Sequence, residues 1–164
     1  MDFHPGYALV LVLLVFFFRW YGLGHWRRRR LEKHWQRGQE AFQHGDLDGA
    51  EAAFRTCVRT VPTVAALRRA LGGVLSHQRK FKEAEEQLRF AAELEPRNPI
   101  GHMDLGFFLA VAVPDRAEDA IDAFAEAVAC DPAMGDKLVQ EPRLVPLRRH
   151  ERFRDLIEGG EPPA

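Results

Sequence analysis

Apolar positions recur along this chain at a long, fixed interval. Gly38, Gly72 and Gly106 are each 34 residues apart, and the pairs Ala50/Ala84, Phe54/Leu88, Cys57/Ala91 and Pro62/Pro96 keep that spacing. A third set, Ala120, Phe124, Ala127 and Pro132, follows 36 residues on. Within each unit the alanine and the large residue are four positions apart, which places them one turn along the same helix face. Self-similarity at this period marks a stacked array of helical pairs, because a single pair cannot bury its own apolar face. The predicted fold class is all-α.

The spacing predicts a first helix over 31–43, a turn at His44-Gly45-Asp46 and a second helix over 47–60. Gly45 suits the positive φ that a helix C-terminus often needs, and Asp46 is placed to cap the helix that follows. The second unit has its turn at Arg79-Lys80-Phe81. In the third, the first helix stays in register through Gly106, and two extra residues then precede Ala120. They fall at Val111-Ala112-Val113-Pro114-Asp115, with Pro114 expected in the first turn of the next helix. A glycine midway along each first helix lets a neighbour approach closely. The prolines at 62, 96 and 132 stop each second helix, since proline disfavours helix at the residue before it.

These units resemble tetratricopeptide repeats (TPR). Leu71-Gly72 and Leu75, followed by Ala84, Leu88, Ala91 and Pro96, are close to the consensus of that family. The resemblance covers about 31–132, divided as 31–64, 65–98 and 99–132. Beyond it, 133–158 carries Leu138, Val139, Leu144, Val145, Leu147, Phe153, Leu156 and Ile157 among prolines at 142 and 146. This resembles the closing segment of some TPR arrays, and physically it is a cap over the last apolar face. Residues 159–164 read as a frayed tail.

The resemblance also implies a binding groove lined by the first helix of each pair. Carried onto this chain, the groove positions hold Trp35, Gln39 and Phe42 in the first repeat. The second supplies Arg69, Ser76 and His77, and the third supplies Met103 and Phe107. The implied partner is a protein or peptide, with an acidic group near Arg69 and an apolar anchor near Phe107. Family members that clamp a chaperone's terminal carboxylates use Lys and Asn in the groove. Trp35, Gln39 and Gly73 stand at two of the groove positions here, so that ligand is not carried over.

Residues 1–30 differ from everything after them. An uncharged, nearly all-apolar run from Gly6 to Phe18 leads to Arg19, then Trp20, Tyr21, Leu23 and Trp26, then Arg27-Arg28-Arg29-Arg30. Gly6 through Trp26 would make about 32 Å of helix, enough to span a bilayer. Trp20, Tyr21 and Trp26 would form an interfacial belt, and Arg19 would snorkel to the headgroups. A cleaved signal peptide, and with it an exported periplasmic binder, fits less well. No Lys or Arg precedes the apolar run, and bulky residues follow it. A buried core helix would leave Leu, Val and Phe exposed on all sides of a small domain. The expectation is a single-pass anchor over 6–26, with Arg27–Arg30 setting the topology and the repeats on the cytoplasmic side. Attraction of the four arginines to anionic lipid is compatible with that. The layout of anchor, basic flank and repeats resembles bacterial inner-membrane assembly factors of this family, without their C-terminal metal-binding cysteines.

Composition narrows the chemistry. A net charge of −1 and a pI of about 6.7 give no global basic field for nucleic acid. Cys57 and Cys130 lie inside repeat helices with no paired spacing, which reads as core packing in a reduced compartment. The seven histidines show no metal-binding or catalytic spacing. Gly72-Gly73 lies in a helical pattern rather than after a strand, so it is no phosphate loop. Glu83, Glu85 and Glu86 read as acids favouring a helix start. The expectation is a non-enzymatic adaptor or assembly factor without cofactor or metal. A self-associating membrane scaffold is the alternative.

Overall fold

Glycine, alanine and a large apolar residue repeat because each pair of helices interlocks in the same way. The computed structural model describes residues 28–158, and these form eight α-helices and two 3-10 segments. α1 occupies 28–43, followed by α2 (Leu47–Thr60), α3 (Ala65–His77) and α4 (Phe81–Leu94). α5 (Pro99–Ala112), a 3-10 turn (Pro114–Arg116) and α6 (Ala117–Cys130) complete three hairpins. α7 (Ala133–Gln140), a 3-10 stretch (Pro142–Arg149) and α8 (Glu151–Ile157) close the array. Each second helix ends two residues before its proline: Thr60 before Pro62, Leu94 before Pro96, Cys130 before Pro132.

Inside each hairpin the glycine of the first helix lies under the large side chain of the second. A β-carbon on Gly38 would fall 2.6 Å from the Phe54 ring, and one on Gly72 would fall 2.7 Å from Leu88 Cγ. The alanines Ala50, Ala84 and Ala120 are fully buried, as are Cys57, Ala91 and Ala127 about two turns later. Burial of each large residue contributes about 2–3 kcal/mol by area. α3 packs on both helices of its own repeat boundary, and α5 contacts α3, α4 and α6. The first helices thus form an inner layer, and the second helices lean on it from outside. α5 is apolar around most of its circumference, His102 and Asp104 excepted, because it also meets the closing segment.

The turns explain where the repeat breaks. Gly45 and Arg79 occupy equivalent positions and both have positive φ, 76° and 60°. In each turn the next residue's N–H reaches back to a carbonyl of the last helical turn, Asp46 to Ala41 at 2.8 Å and Lys80 to Leu75 at 2.9 Å. Asp46 caps α2 through Oδ1, which accepts from Gly49 N–H at 2.9 Å. In the third repeat the equivalent residue, Val113, instead has a negative φ of −135°. Pro114 then opens a 3-10 turn, so α6 begins at Ala117 rather than at the proline. The two additional residues are spent on this turn, and they restore the packing of Gly106 against Phe124.

The closing segment buries Met134, Leu138, Leu144, Leu147 and Phe153 against α5 and α6. Phe153 stands 6.1 Å from Phe124, ring to ring, and is fully buried.

The expected anchor over 6–26, with Arg19, Trp20, Trp26 and Arg27, lies outside the described residues. Arg28, Arg29 and Arg30 form the exposed start of the described part of α1. Among the described residues no helix is long and apolar enough to cross a membrane.

Candidate partner-binding groove

The inner layer presents α1, α3 and α5 side by side, and their outward residues line two clefts that meet at Gly73. The first, about 290 Å³, lies between α1 and α3 and is walled by Trp35, Gln39, Phe42, Phe54, Ala70 and Gly73. Its aromatic wall is fixed from behind: the Trp35 and Phe54 rings are 5.2 Å apart. Gly73 forms the floor, where a β-carbon would meet nothing within 4 Å. Phe42 is 39% exposed, and the imidazole of His77 meets its ring edge-on at 5.3 Å.

The second cleft, about 800 Å³, runs from α3 to α5 and the closing segment. Ser76, Arg79, Phe81, Phe107 and Val111 line it, together with three groups that are already paired or stacked. Arg69 Nε donates to Asp104 Oδ2 at 2.5 Å, so its charge is matched within the wall. Arg143 reaches in from the closing segment with its guanidinium 5.1 Å from the Phe107 ring centre. Glu141 holds that guanidinium through both oxygens, at 2.8 and 2.9 Å. Those hydrogen bonds keep the Glu141 carboxyl at a pKa of about 2. Phe107 is braced from below by Phe124, ring centres 5.3 Å apart.

Seven of the eight groove residues read from the sequence therefore reach this surface: Trp35, Gln39 and Phe42 in the first cleft, Arg69, Ser76, His77 and Phe107 in the second. Met103 does not. Its side chain is 7% exposed and packs in the core, because α5 turns that position toward its neighbours rather than toward the groove. Arg69 is on the surface but is not an unmatched cation. Two contributors carried no usable signal in the repeat pattern. Arg143 comes from outside the repeats and Arg79 belongs to a turn, whereas Gly73 stands at a groove position and acts there through the space it leaves.

The opposite side of the array carries a ladder of ion pairs that crosses repeat boundaries. Glu51 accepts from Lys80 Nζ at 2.6 Å and Arg55 Nε at 2.7 Å, and Arg55 also reaches Glu83. One repeat on, Glu85 accepts from Arg116 at 2.7 Å and Arg89 at 2.8 Å, and Arg116 reaches Asp119. At the end Arg152 bridges Glu118 and Asp122, and His150 meets Glu118 at 3.0 Å. The acids Glu83 and Glu85 thus join helices to one another rather than serving a helix start alone. Burial pushes the Glu51 carboxyl up, but hydrogen bonds from Lys80, Arg55 and Gln78 outweigh it and hold the pKa at about 2.

Neither cysteine is paired. Burial raises the Cys57 thiol, and the half-buried Cys130 donates to the Pro96 carbonyl at 3.3 Å. Among the described residues no three His, Cys, Asp or Glu side chains are grouped to hold a metal.

Solved structures share this architecture. The chain superposes on one in the CopN–Scc3 complex with a TM-score of 0.58 at 21% identity, covering 67% of this chain and 65% of that one. The first TPR of Spaghetti (RPAP3), solved with the HSP90 peptide SRMEEVD, matches with a TM-score of 0.59 at 14% identity over 80% of this chain and 93% of that one. The TPR2B domain of yeast Sti1, solved in complex with pHsp70, gives 0.59 at 17% identity over 80% and 98%. At such identities the likeness is one of fold. No curated protein matches the sequence. The tetratricopeptide repeat family model matches residues 36–87 and 74–134, which together run from within α1 to beyond α6 and cover more than half of the sequence. The chain belongs to the tetratricopeptide repeat family.

Proposed function

We propose that the chain is a membrane-anchored, non-catalytic adaptor whose concave face holds a peptide or an exposed segment of a partner protein. The observation that carries this reading is the continuity of the two clefts through Gly73. Together they leave braced aromatic rings open to solvent on one face, rimmed by polar groups. Rigid aromatic anchors in contiguous concave surface are what a binding face requires, since they bury area at low cost in side-chain freedom. Structural relatives solved with an HSP90 peptide and with pHsp70 support a protein ligand as the class.

The anchoring rests on the sequence. An uncharged apolar run is followed by Trp20, Tyr21, Trp26 and four arginines, which would hold the repeats at the cytoplasmic face. The membrane concerned would be a bacterial cytoplasmic one by the likeness of layout. The test is photo-crosslinking in native membranes from a reactive residue at Phe107, compared with one at Phe90 on the outer face. A heterologous adduct from position 107 and not from 90 is the expected result. Adducts only to a second copy would replace the adaptor by a self-associating scaffold, and equal adducts at both positions would remove the groove from the account.

A further inference from the structure

The concave face holds more chemistry than an undifferentiated groove. Three arginines and one carboxylate line its larger cleft. Pairing removes two of the three, because Asp104 matches Arg69 and Glu141 matches Arg143. Arg79 has no side-chain hydrogen bond or ion pair with any described residue. It stands exposed at the end of α3 with its backbone in the left-handed region, φ 60°, a conformation that disfavours an arginine. Gly73, in the middle of α3, lines the same cleft and leaves an open apolar seat between Trp35 and Phe42. The groove therefore presents two unmet demands, one apolar and one cationic.

From Gly73 to Arg79, in the turn just after α3, the chain advances about 9 Å, a distance that an extended segment covers in about three residues. We infer that the concave face selects a linear segment carrying an apolar side chain and a carboxylate at about that separation. The apolar side chain seats on Gly73 against Trp35 and Phe42, and the carboxylate meets Arg79. The inference rests on the concave-face reading proposed above and specifies its ligand. Phe107, with Arg143 stacked on it, is the wall along which the segment leaves the seat.

The two contacts can be removed separately without damaging the fold. A leucine at Gly73 enters open space in the middle of a helix, and a glycine at Arg79 relieves the left-handed backbone. The experiment measures binding of the full chain in detergent micelles to three fluorescent dodecapeptide pools. One pool fixes Phe and Glu three residues apart in both orders, the second replaces Glu by Gln, and the third replaces Phe by Ala. The first pool is expected to bind at least tenfold more tightly than either other. Gly73→Leu is expected to erase the advantage of Phe, and Arg79→Gly the advantage of Glu, with neither lowering the thermal midpoint. Equal binding of the Glu and Gln pools, or an affinity for the first pool that neither variant changes, overturns the inference. Crosslinking at Phe107 registers any occupant whatever its chemistry. A heterologous adduct there, with no preference among the pools, would refute the two-contact ligand and leave the adaptor reading standing.

Discussion

Gly106 lies directly beneath the ring of Phe124: a β-carbon on it would fall 2.5 Å from Cε1 and 2.6 Å from Cδ1. Phe124 is itself fully buried between Phe107 and Phe153, so the ring has nowhere to go. Gly106→Ala is expected to destabilise the domain by about 1–2 kcal/mol, an overpacking cost partly offset by better helix propensity. The same substitution at Gly73, where a β-carbon meets nothing within 4 Å, is expected to stabilise by about 1 kcal/mol. Urea unfolding of the two variants checks the reversal of sign, and equal effects would mean that the ring is not packed as described.

Arg79 stands where the preceding repeat has Gly45, and both have positive φ. Only glycine takes that conformation without a steric penalty, which for other residues is about 1 kcal/mol. Arg79→Gly is therefore expected to stabilise the chain by about that amount, less whatever the unfolded state gains in freedom. A thermal midpoint that falls instead would show that the arginine side chain contributes a contact outweighing the strain.

The helical array was legible because burial repeats: Gly38, Gly72 and Gly106 each face the large residue of their own hairpin, and spacing alone reveals it. The two-residue insertion was legible for the same reason, although its conformation was not. Spacing does not distinguish a proline that starts an α-helix from one that starts a 3-10 turn. Groove residues were harder. Met103 and Phe107 lie one turn apart on a helix that is apolar nearly all round, and its two polar residues, His102 and Asp104, form no stripe to say which of them faces outward. The matching of Arg69 by Asp104 joins positions 35 apart in sequence, on adjacent helices whose relative rotation no local pattern records. Arg143 was beyond reach because the closing segment does not repeat.

Phe153 is expected to hold the end of the array together. Its ring is fully buried beside Phe124, and α8 contributes no other fully covered side chain. Phe153→Ala should cost about 3–5 kcal/mol, the range for removing a buried aromatic ring. Hydrogen exchange separates a local from a global effect. Loss of protection in α6 and α7 with α2 and α3 unchanged would show that the cap opens independently. Uniform loss would show that the three hairpins and the cap unfold as one unit.

Glu51 ties the stability of the array to pH. Its carboxyl is 13% exposed and hydrogen-bonded by Lys80 and Arg55, and its pKa is about 2 when folded against an ordinary 4.5. A group whose pKa is lowered by folding stabilises the folded state fully above its unfolded pKa, because the unfolded chain binds the proton more readily. The contribution of Glu51 is thus complete at pH 7, begins to fall as the pH drops through 4.5, and is lost as the pH falls through about 2. Glu85 occupies the same place one repeat on, and its pKa is also lowered, since hydrogen bonds from Arg116 and Arg89 outweigh the opposing effect of burial. Glu51→Gln keeps the shape and removes the charge, so at pH 7 it should destabilise by about 1 kcal/mol, the scale of a hydrogen-bonded ion pair that is partly covered. At pH 3 the gap between the variant and the parent should narrow, because the parent has then lost part of the same stabilisation. Denaturant titrations at the two pH values measure that gap. A gap that is unchanged or wider at pH 3 would mean that Glu51 acts through shape rather than charge, and that the ladder does not fasten one repeat to the next.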